Sequence, residues 1–251
     1  MASKIDGVEE DKISRLEEGT IAVRVARLCP ASIVACIQKF MAEVIGTYFV
    51  IFAGCGSVAV NKIYGGSVTF PGICVVWGLI VMVMIYTVGH ISGAHFNPSV
   101  TITLAIFRGF PWWQVPIYIV AQVSGSLLAS CTLDLVFDVT VEAFYGTVPA
   151  GSNVQSFVLE IIITFLLLFV VFATSNNTGV GELGGVIVGM TILLNVFVAG
   201  PISGASMNPA RTLGPAIVRH EFRGLWAYIA GPLIGALAGG FVFDLVKPIG
   251  S

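Results

Sequence analysis

The stretch "GHISGAHFNPSVT" at residues 89–101 returns as "GPISGASMNPART" at residues 200–212. Eight of the thirteen aligned positions are identical, and each copy has Asn-Pro at its centre. A second pair of similar segments, "YIVAQVSGSLL" from Tyr118 and "YIAGPLIGALA" from Tyr228, follows at nearly the same offset. The sequence therefore predicts an internal duplication that covers most of the chain.

The composition is that of a membrane protein. Of the 251 residues, 56% are hydrophobic and 10% are charged, whereas roughly 25% are charged in soluble domains. Runs of about 20 apolar residues are long enough to cross the hydrocarbon core of a bilayer. The predicted spans are residues 40–60, 71–89, 114–137, 154–174, 183–200 and 224–246. The net charge of −2 gives no indication of a nucleic-acid partner.

Three predicted spans fall in each copy of the duplication, at about 39–137 and 154–246. Because three is odd, the second copy must cross the membrane in the opposite sense, which makes an inverted repeat. After each Asn-Pro the chain is apolar for only about ten residues, too few to span, and Asn followed by Pro is a strong helix start. The sequence thus predicts an all-α membrane protein of six transmembrane helices plus two re-entrant half-helices.

The half-helices enter from opposite faces, so their amino ends should meet near the midplane of the bilayer. Two positive helix ends and two Asn side chains would then offer hydrogen bonds to a neutral hydroxyl molecule and repel a cation. This arrangement indicates conduction and not catalysis. The sequence has no catalytic triad, phosphate loop or metal cluster, so we expect no enzyme, cofactor or metal, and the five cysteines form no disulfide pattern.

The distribution of basic residues predicts the orientation. Six of the twelve Lys and Arg residues precede the first span, and cytoplasmic segments carry such an excess. We therefore expect residues 1–38 to be a cytosolic amino-terminal segment, residues 39–246 a single channel domain, and residues 247–251 a short cytosolic carboxyl terminus. The plasma membrane is the expected location.

With these motifs the chain resembles the major intrinsic proteins, the aquaporin and aquaglyceroporin family, whose signature is a pair of Asn-Pro-Ala boxes. The resemblance covers residues 39–246 and is strongest for the plant nodulin-like intrinsic proteins, through "SGAHFNPSVT", "FPGICVVWGLIVMVMIY" and "GPISGASMNPARTLGPA". It implies an aquaporin-like fold and a homotetramer with a pore in each subunit. It assigns the two boxes to Asn97, Pro98 and Ser99, and to Asn208, Pro209 and Ala210. Ser99 stands where the family usually has alanine, and we expect it to alter selectivity or hydration at most.

The resemblance also implies a selectivity filter made of Trp77, Val196, Ala205 and Arg211. Arg211 would donate to a hydroxyl solute and repel cations; the alternative is a structural, salt-bridged arginine. For Trp77, the alternative role is that of a residue in the aromatic belt at the membrane–water interface. Strict water channels of the family have a histidine at the position of Val196, so valine indicates a wider, more apolar filter. We expect glycerol-type polyols to pass, with boric or arsenous acid, ammonia and some water as further solutes.

Three more polar side chains flank these elements. Glu43 and Glu160 lie in the first span of each copy, and an intramembrane carboxylate is a functional candidate by default. The resemblance favours a structural role for both carboxylates over a proton relay. Each would be a buried hydrogen-bond acceptor that holds an approach strand, the irregular glycine-rich segment before each Asn-Pro pair. His95 precedes the first box, where structural packing is the favoured reading and a pH gate is the alternative.

Two other functions fit parts of the pattern. Inverted repeats with broken helices also build ion- or proton-coupled transporters, although coupling would need a carboxylate exposed to the solute path. A closed-pore structural membrane protein is the second alternative, and the two Asn-Pro boxes with Arg211 favour an open path over it.

Overall fold

The computed structural model describes residues 31–176 and 181–248. The chain divides into two units, residues 1–39 and residues 40–251. Residues 31–39 of the first unit are helical. The rest of that unit, which is most of the segment predicted to be cytosolic, lies outside the described residues, and so do the last three residues of the chain. The fold below is that of the second unit.

Eight α-helices make up the regular structure of the described residues, with two single turns of 3₁₀-helix. Six are long and apolar enough to cross a membrane, which confirms the six predicted spans. They are α1 (Ala31–Ile63), α2 (Thr69–Ser92), α4 (Val115–Val136), α5 (Asn153–Asn176), α6 (Gly184–Ser203) and α8 (Leu225–Val246). The other two, α3 (Pro98–Phe107) and α7 (Pro209–Arg219), are the half-length helices that follow the Asn-Pro pairs. The predicted arrangement of six spans and two half-helices is therefore present.

The largest difference from the expected helix boundaries is at the start of the first span. The first span was predicted from residue 40, but α1 begins at Ala31. Residues 31–39 include Gln38 and Lys39, both good helix formers that interrupt an apolar run. A search for apolar runs therefore starts too late, because helix propensity continues beyond the hydrophobic segment.

Both half-helices begin as the sequence predicts. Asn97 and Asn208 are extended N-cap residues, and each side chain accepts a hydrogen bond from a backbone N–H of the first turn. The following proline occupies the first helical position, where its missing N–H leaves no bond unmade.

The two copies meet along α2 and α6, which pack against each other. Their crossing point is Gly78 and Gly189, equivalent residues 111 positions apart. A Cβ atom added to Gly78 would lie 2.7 Å from the Gly189 carbonyl oxygen, and one added to Gly189 would lie 2.6 Å from the Gly78 oxygen. Because both obstacles are backbone atoms, no side-chain rotation relieves the clash. The absence of a side chain lets the two helices touch.

Gly78→Ala is accordingly expected to destabilise the protein by about 1–3 kcal/mol, the usual effect of overpacking. The matched control is Gly89→Ala on the same helix, where the new Cβ would lie 3.7 Å from Ala94 in ordinary contact. Thermal unfolding in detergent, followed by size-exclusion chromatography, compares the two variants. Equal melting midpoints would show that the helices separate at Gly78 without loss.

Candidate functional site

The two half-helices are joined at their amino ends by a reciprocal pair of hydrogen bonds. Asn97 Nδ2 donates to the carbonyl oxygen of Met207 at 2.7 Å, and Asn208 Nδ2 donates to that of Phe96 at 2.7 Å. From the sequence, both side chains are expected to donate hydrogen bonds to a passing solute. Since an amide nitrogen carries two hydrogens, each Asn uses one for the opposite copy and keeps one for the cavity that both side chains line.

The chain approaching each half-helix is turned by residues in the left-handed region. These are Gly93 (φ 89°), Ala94 (53°) and Phe96 (51°) in the first copy, and Gly204 (80°), Ala205 (47°) and Met207 (54°) in the second. Such a conformation costs a non-glycine residue about 1–3 kcal/mol and persists only where the surroundings hold it.

Two fully buried carboxylates hold these approach strands. Glu43 accepts from the Ser92 hydroxyl at 2.7 Å and from the backbone N–H of His95 and Phe96 at 3.0 and 2.8 Å. Glu160 accepts from the Ser203 hydroxyl at 2.8 Å and from the backbone N–H of Ser206 and Met207 at 2.8 and 2.7 Å. Each carboxylate therefore ties the first helix of its copy to the residues that turn towards the box.

His95 is buried in the first copy. Its Nδ1 lies 3.1 Å from the Thr101 hydroxyl, and its ring packs against Phe110 and Tyr118. Gln122 on α4 donates to both Glu43 and Thr101, at 2.8 and 2.9 Å. The first copy thus completes its network with side chains from its own helices.

A cavity of about 470 Å³ contains both box asparagines in its wall. One face of α6, with Gly184, Val188, Ile192 and Val196 at intervals of four residues, lines it. Twelve residues of α-helix at 1.5 Å each place the ends of that face about 18 Å apart. The cavity therefore passes the meeting point of the half-helices and continues along most of a transmembrane helix.

The four residues assigned to the filter surround one part of this cavity. Trp77, Val196, Ala205 and Arg211 are all buried and all line it. The Arg211 guanidinium lies 4.9 Å from the centre of the Trp77 ring, a cation–π distance. Trp77 is thus placed inside the protein and not in an interfacial belt.

Arg211 has unused hydrogen-bond donors. Its Nη2 donates to the Gly204 carbonyl oxygen at 3.2 Å, while Nε and Nη1 have no partner among the described residues. Within that part of the chain Arg211 also forms no ion pair with a carboxylate. Arg211 therefore lines the cavity as a buried cation that keeps two donors without a partner in that part of the chain, and a guanidinium is suited to bind a hydroxyl group.

The remaining box residues lie behind the cavity wall. Pro98, Ser99, Pro209 and Ala210 are buried and do not line the cavity. The Ser99 hydroxyl is fully buried and has no hydrogen-bond partner among residues 31–176 and 181–248. Ser99 therefore lies where the first turn of α3 packs, behind the cavity wall.

Two ion pairs that were not expected from the sequence fix the far ends of the half-helices. Arg108, which caps α3, pairs with Asp244 on α8 at 2.9 Å, and Arg219 at the end of α7 pairs with Asp134 on α4 at 3.1 Å. The signal was present, since these positions repeat at offsets of 111 and 110. Burial, followed by the hydrogen bond to Asp134, raises the pKa of the nearby Tyr145 far above its usual range.

Within the described part of the chain, no three His, Cys, Asp or Glu side chains lie together as a metal site. The residues that line the cavity carry amide, guanidinium, imidazole, hydroxyl and apolar groups. They are able to bind and orient a small neutral molecule.

Comparison with known proteins agrees with this geometry. The family profile described as major intrinsic protein matches residues 31–243. The chain is 63% identical to a probable aquaporin of the NIP type from Nicotiana alata, over 98% of this chain and 93% of that protein. It is 55% identical to Nodulin-26 from Glycine max, over 84% and 78%. The X-ray structure of the aquaglyceroporin from Plasmodium falciparum superposes with a TM-score of 0.75 at 25% identity, over 84% of this chain and 96% of that one.

Proposed function

Because this chain belongs to the major intrinsic protein family, whose members are membrane channels and not enzymes, we propose that it conducts small uncharged solutes passively. Glycerol-type polyols are the proposed main solutes. Boric acid, arsenous acid, ammonia and some water are proposed as further ones, and ions and protons are excluded.

The observation that carries this proposal is the two-sided filter. Val196 and Ala205 give the cavity wall apolar side chains, and Arg211 lines the same wall with a guanidinium whose buried Nε and Nη1 have no partner among the described residues. A polyol has a hydrocarbon edge and a hydroxyl edge, so it can face both surfaces at once. Water has no apolar edge and gains less there, because desolvation beside an apolar wall is poorly compensated.

The same elements support the exclusion of cations. The amino ends of α3 and α7 meet beside the cavity and carry positive partial charge. Arg211 adds a full positive charge near one end, and among the residues that the structure describes no carboxylate lines the cavity wall. A cation or proton therefore meets repulsion along the path without a compensating anion.

The contacts of Glu43 and Glu160 count against a coupled transporter. Both carboxylates are fully buried, accept at least three hydrogen bonds each, and lie outside the cavity wall. A coupling group should instead face the solute path and change its bonds as ions bind. The cavity along α6 likewise favours an open path over a closed structural protein.

Stopped-flow light scattering on proteoliposomes tests the function. Vesicles with purified protein should re-swell in glycerol much faster than empty vesicles and should shrink in an impermeant osmolyte. Fast water flux with glycerol flux at the level of empty vesicles would contradict the polyol filter. Flux of neither would favour the closed structural protein.

Arg211→Ala is expected to weaken discrimination against cations. Loss of a fixed charge beside the path removes an electrostatic barrier, and we expect proton leak to rise by about ten-fold. A pH-sensitive dye inside the vesicles under a potassium gradient measures the leak. Arg223→Ala, which removes an exposed arginine paired with Glu221 outside the cavity, is the control and should leave it unchanged. Equal leak in both variants would show that Arg211 is not the barrier.

Assembly and location complete the proposal. We place the protein in the plasma membrane as a homotetramer with both termini in the cytosol, on the basis of the family and the basic residues before the first span. Native mass spectrometry from detergent would report four chains, and a stable monomer would contradict the assembly.

A further inference from the structure

The two copies of the repeat complete their buried networks differently. Thr101 in the first copy and Thr212 in the second are equivalent residues. The Thr101 hydroxyl accepts from Gln122 on α4, but the residue of α8 equivalent to Gln122 is Pro232, which has no side-chain donor. The second copy therefore needs a donor from elsewhere.

That donor comes from the loop of residues 137–152 between the copies. The hydroxyl of Thr147 lies 2.7 Å from that of Thr212, which in turn lies 2.7 Å from that of Ser206. Ser206 donates to the Asn208 carbonyl oxygen at 2.9 Å, and its single hydrogen sets the direction of the chain. Thr212 then donates to Ser206, and Thr147 donates to Thr212.

Thr147 also fills the space beside Gly204. In the first copy, the equivalent space is filled by a side chain of that copy itself. A Cβ atom added to Gly93 would lie 3.2 Å from the ring of His95, whereas one added to the equivalent Gly204 would lie 3.0 Å from the Thr147 methyl group. The residue equivalent to His95 is the much smaller Ser206. Thr147 therefore packs against Gly204, whose carbonyl oxygen accepts from Arg211.

The loop is fixed in place on both sides of Thr147. The Tyr145 hydroxyl lies 2.9 Å from the Ser130 carbonyl oxygen and 2.9 Å from the Asp134 carboxylate, and the Ala150 backbone N–H donates to the Ile202 carbonyl oxygen at 3.0 Å. Arg219 also donates to the Val139 carbonyl oxygen at 2.9 Å. Thr147 is only 3% exposed. Because the loop is anchored and Thr147 is buried, the position of the loop fixes the positions of Thr212 and Gly204, which Thr147 contacts.

We propose that Thr147 is a positioning residue for the filter. Its hydroxyl holds Thr212, Ser206 and the second box in register, and thereby fixes Ala205 and Arg211 against the cavity. The inference rests on the proposed channel function and adds a selectivity determinant that does not line the path. The loop joining the two copies thus contributes a side chain that positions the filter residues of the second copy.

The test compares permeabilities to glycerol and water in the same vesicles, because their ratio does not depend on how much protein is folded. Thr147→Val keeps the shape and removes the donor, and the ratio of glycerol to water permeability should fall about three-fold, in line with one lost hydrogen bond. A three-carbon solute needs several groups in register at once, whereas water needs fewer. Thr147→Ser restores the hydroxyl and should restore the ratio.

Thr103→Val is the matched control, since Thr103 is a fully buried threonine on α3 whose hydroxyl has no partner among the described residues. It should leave the ratio unchanged. A wild-type ratio in Thr147→Val, or a ratio in Thr147→Ser as low as in Thr147→Val, overturns the positioning role of the hydroxyl.

Failure of the channel function is distinguishable from failure of this inference. If the wild-type protein passes no glycerol, the proposed function fails, and hydrogen exchange of the amides in residues 204–212 becomes the readout. Faster exchange in Thr147→Val than in Thr103→Val would then support the positioning role, and equal exchange would overturn it.

Discussion

Glu160→Leu is expected to abolish solute flux and to lower the stability of the fold by about 3 kcal/mol or more, because it leaves three buried donors without an acceptor. Those donors are the Ser203 hydroxyl and the backbone N–H groups of Ser206 and Met207. Leucine fills a similar volume, so the effect measures lost hydrogen bonds and not a cavity. It would be measured as the melting midpoint in detergent and as glycerol flux in vesicles.

The loss should extend beyond local stability. Met207 and Ala205 adopt left-handed backbone angles, which persist only under external restraint. Without Glu160 the strand is free to relax, and the Met207 carbonyl oxygen then leaves the Asn97 side chain that donates to it. The junction between the half-helices would then be lost, and the path beside it would lose its shape.

Glu160→Gln separates the roles of charge and geometry. Glutamine keeps one acceptor oxygen but turns an amide nitrogen towards a donor, so it should fall between leucine and the wild type in both measurements. A leucine variant that melts and conducts like the wild type would show that the carboxylate does not hold the strand.

The elements of this fold were predictable because their signals are local. Apolar runs located the six spans, and Asn-Pro followed by ten apolar residues located the half-helices. The repeat added the inverted arrangement, since three spans per copy reverse the direction. Even Glu43 and Glu160 could be paired by position, because each lies in the first helix of its copy.

The junction between the copies was not predictable, because it joins residues about 110 positions apart through backbone atoms. Nothing in the sequence marks the Phe96 or Met207 carbonyl oxygen as the partner of an asparagine in the other copy. Thr147 was hidden for a related reason: it lies in the loop between the copies and has no equivalent in the repeat. Its role follows only from what the second copy lacks, a donor at Pro232.

Val196→His is expected to lower glycerol permeability by about ten-fold or more, while water permeability falls much less. The imidazole ring is larger than the valine side chain and would project from the same face of α6 towards Arg211 and Trp77. It replaces apolar wall with a polar group, so the hydrocarbon edge of a polyol loses both its space and its contact. Water needs neither, and gains a further hydrogen-bonding partner.

Two further variants show whether the change acts through the filter. Val198→His introduces the same side chain two residues later on α6, where valine is 67% exposed and outside the cavity wall, and it should leave the ratio of glycerol to water permeability unchanged. Val196→Ala widens the same place and should admit a four-carbon polyol more readily than the wild type does. If Val196→His passed glycerol as fast as the wild type, the assignment of Val196 to the filter would be wrong.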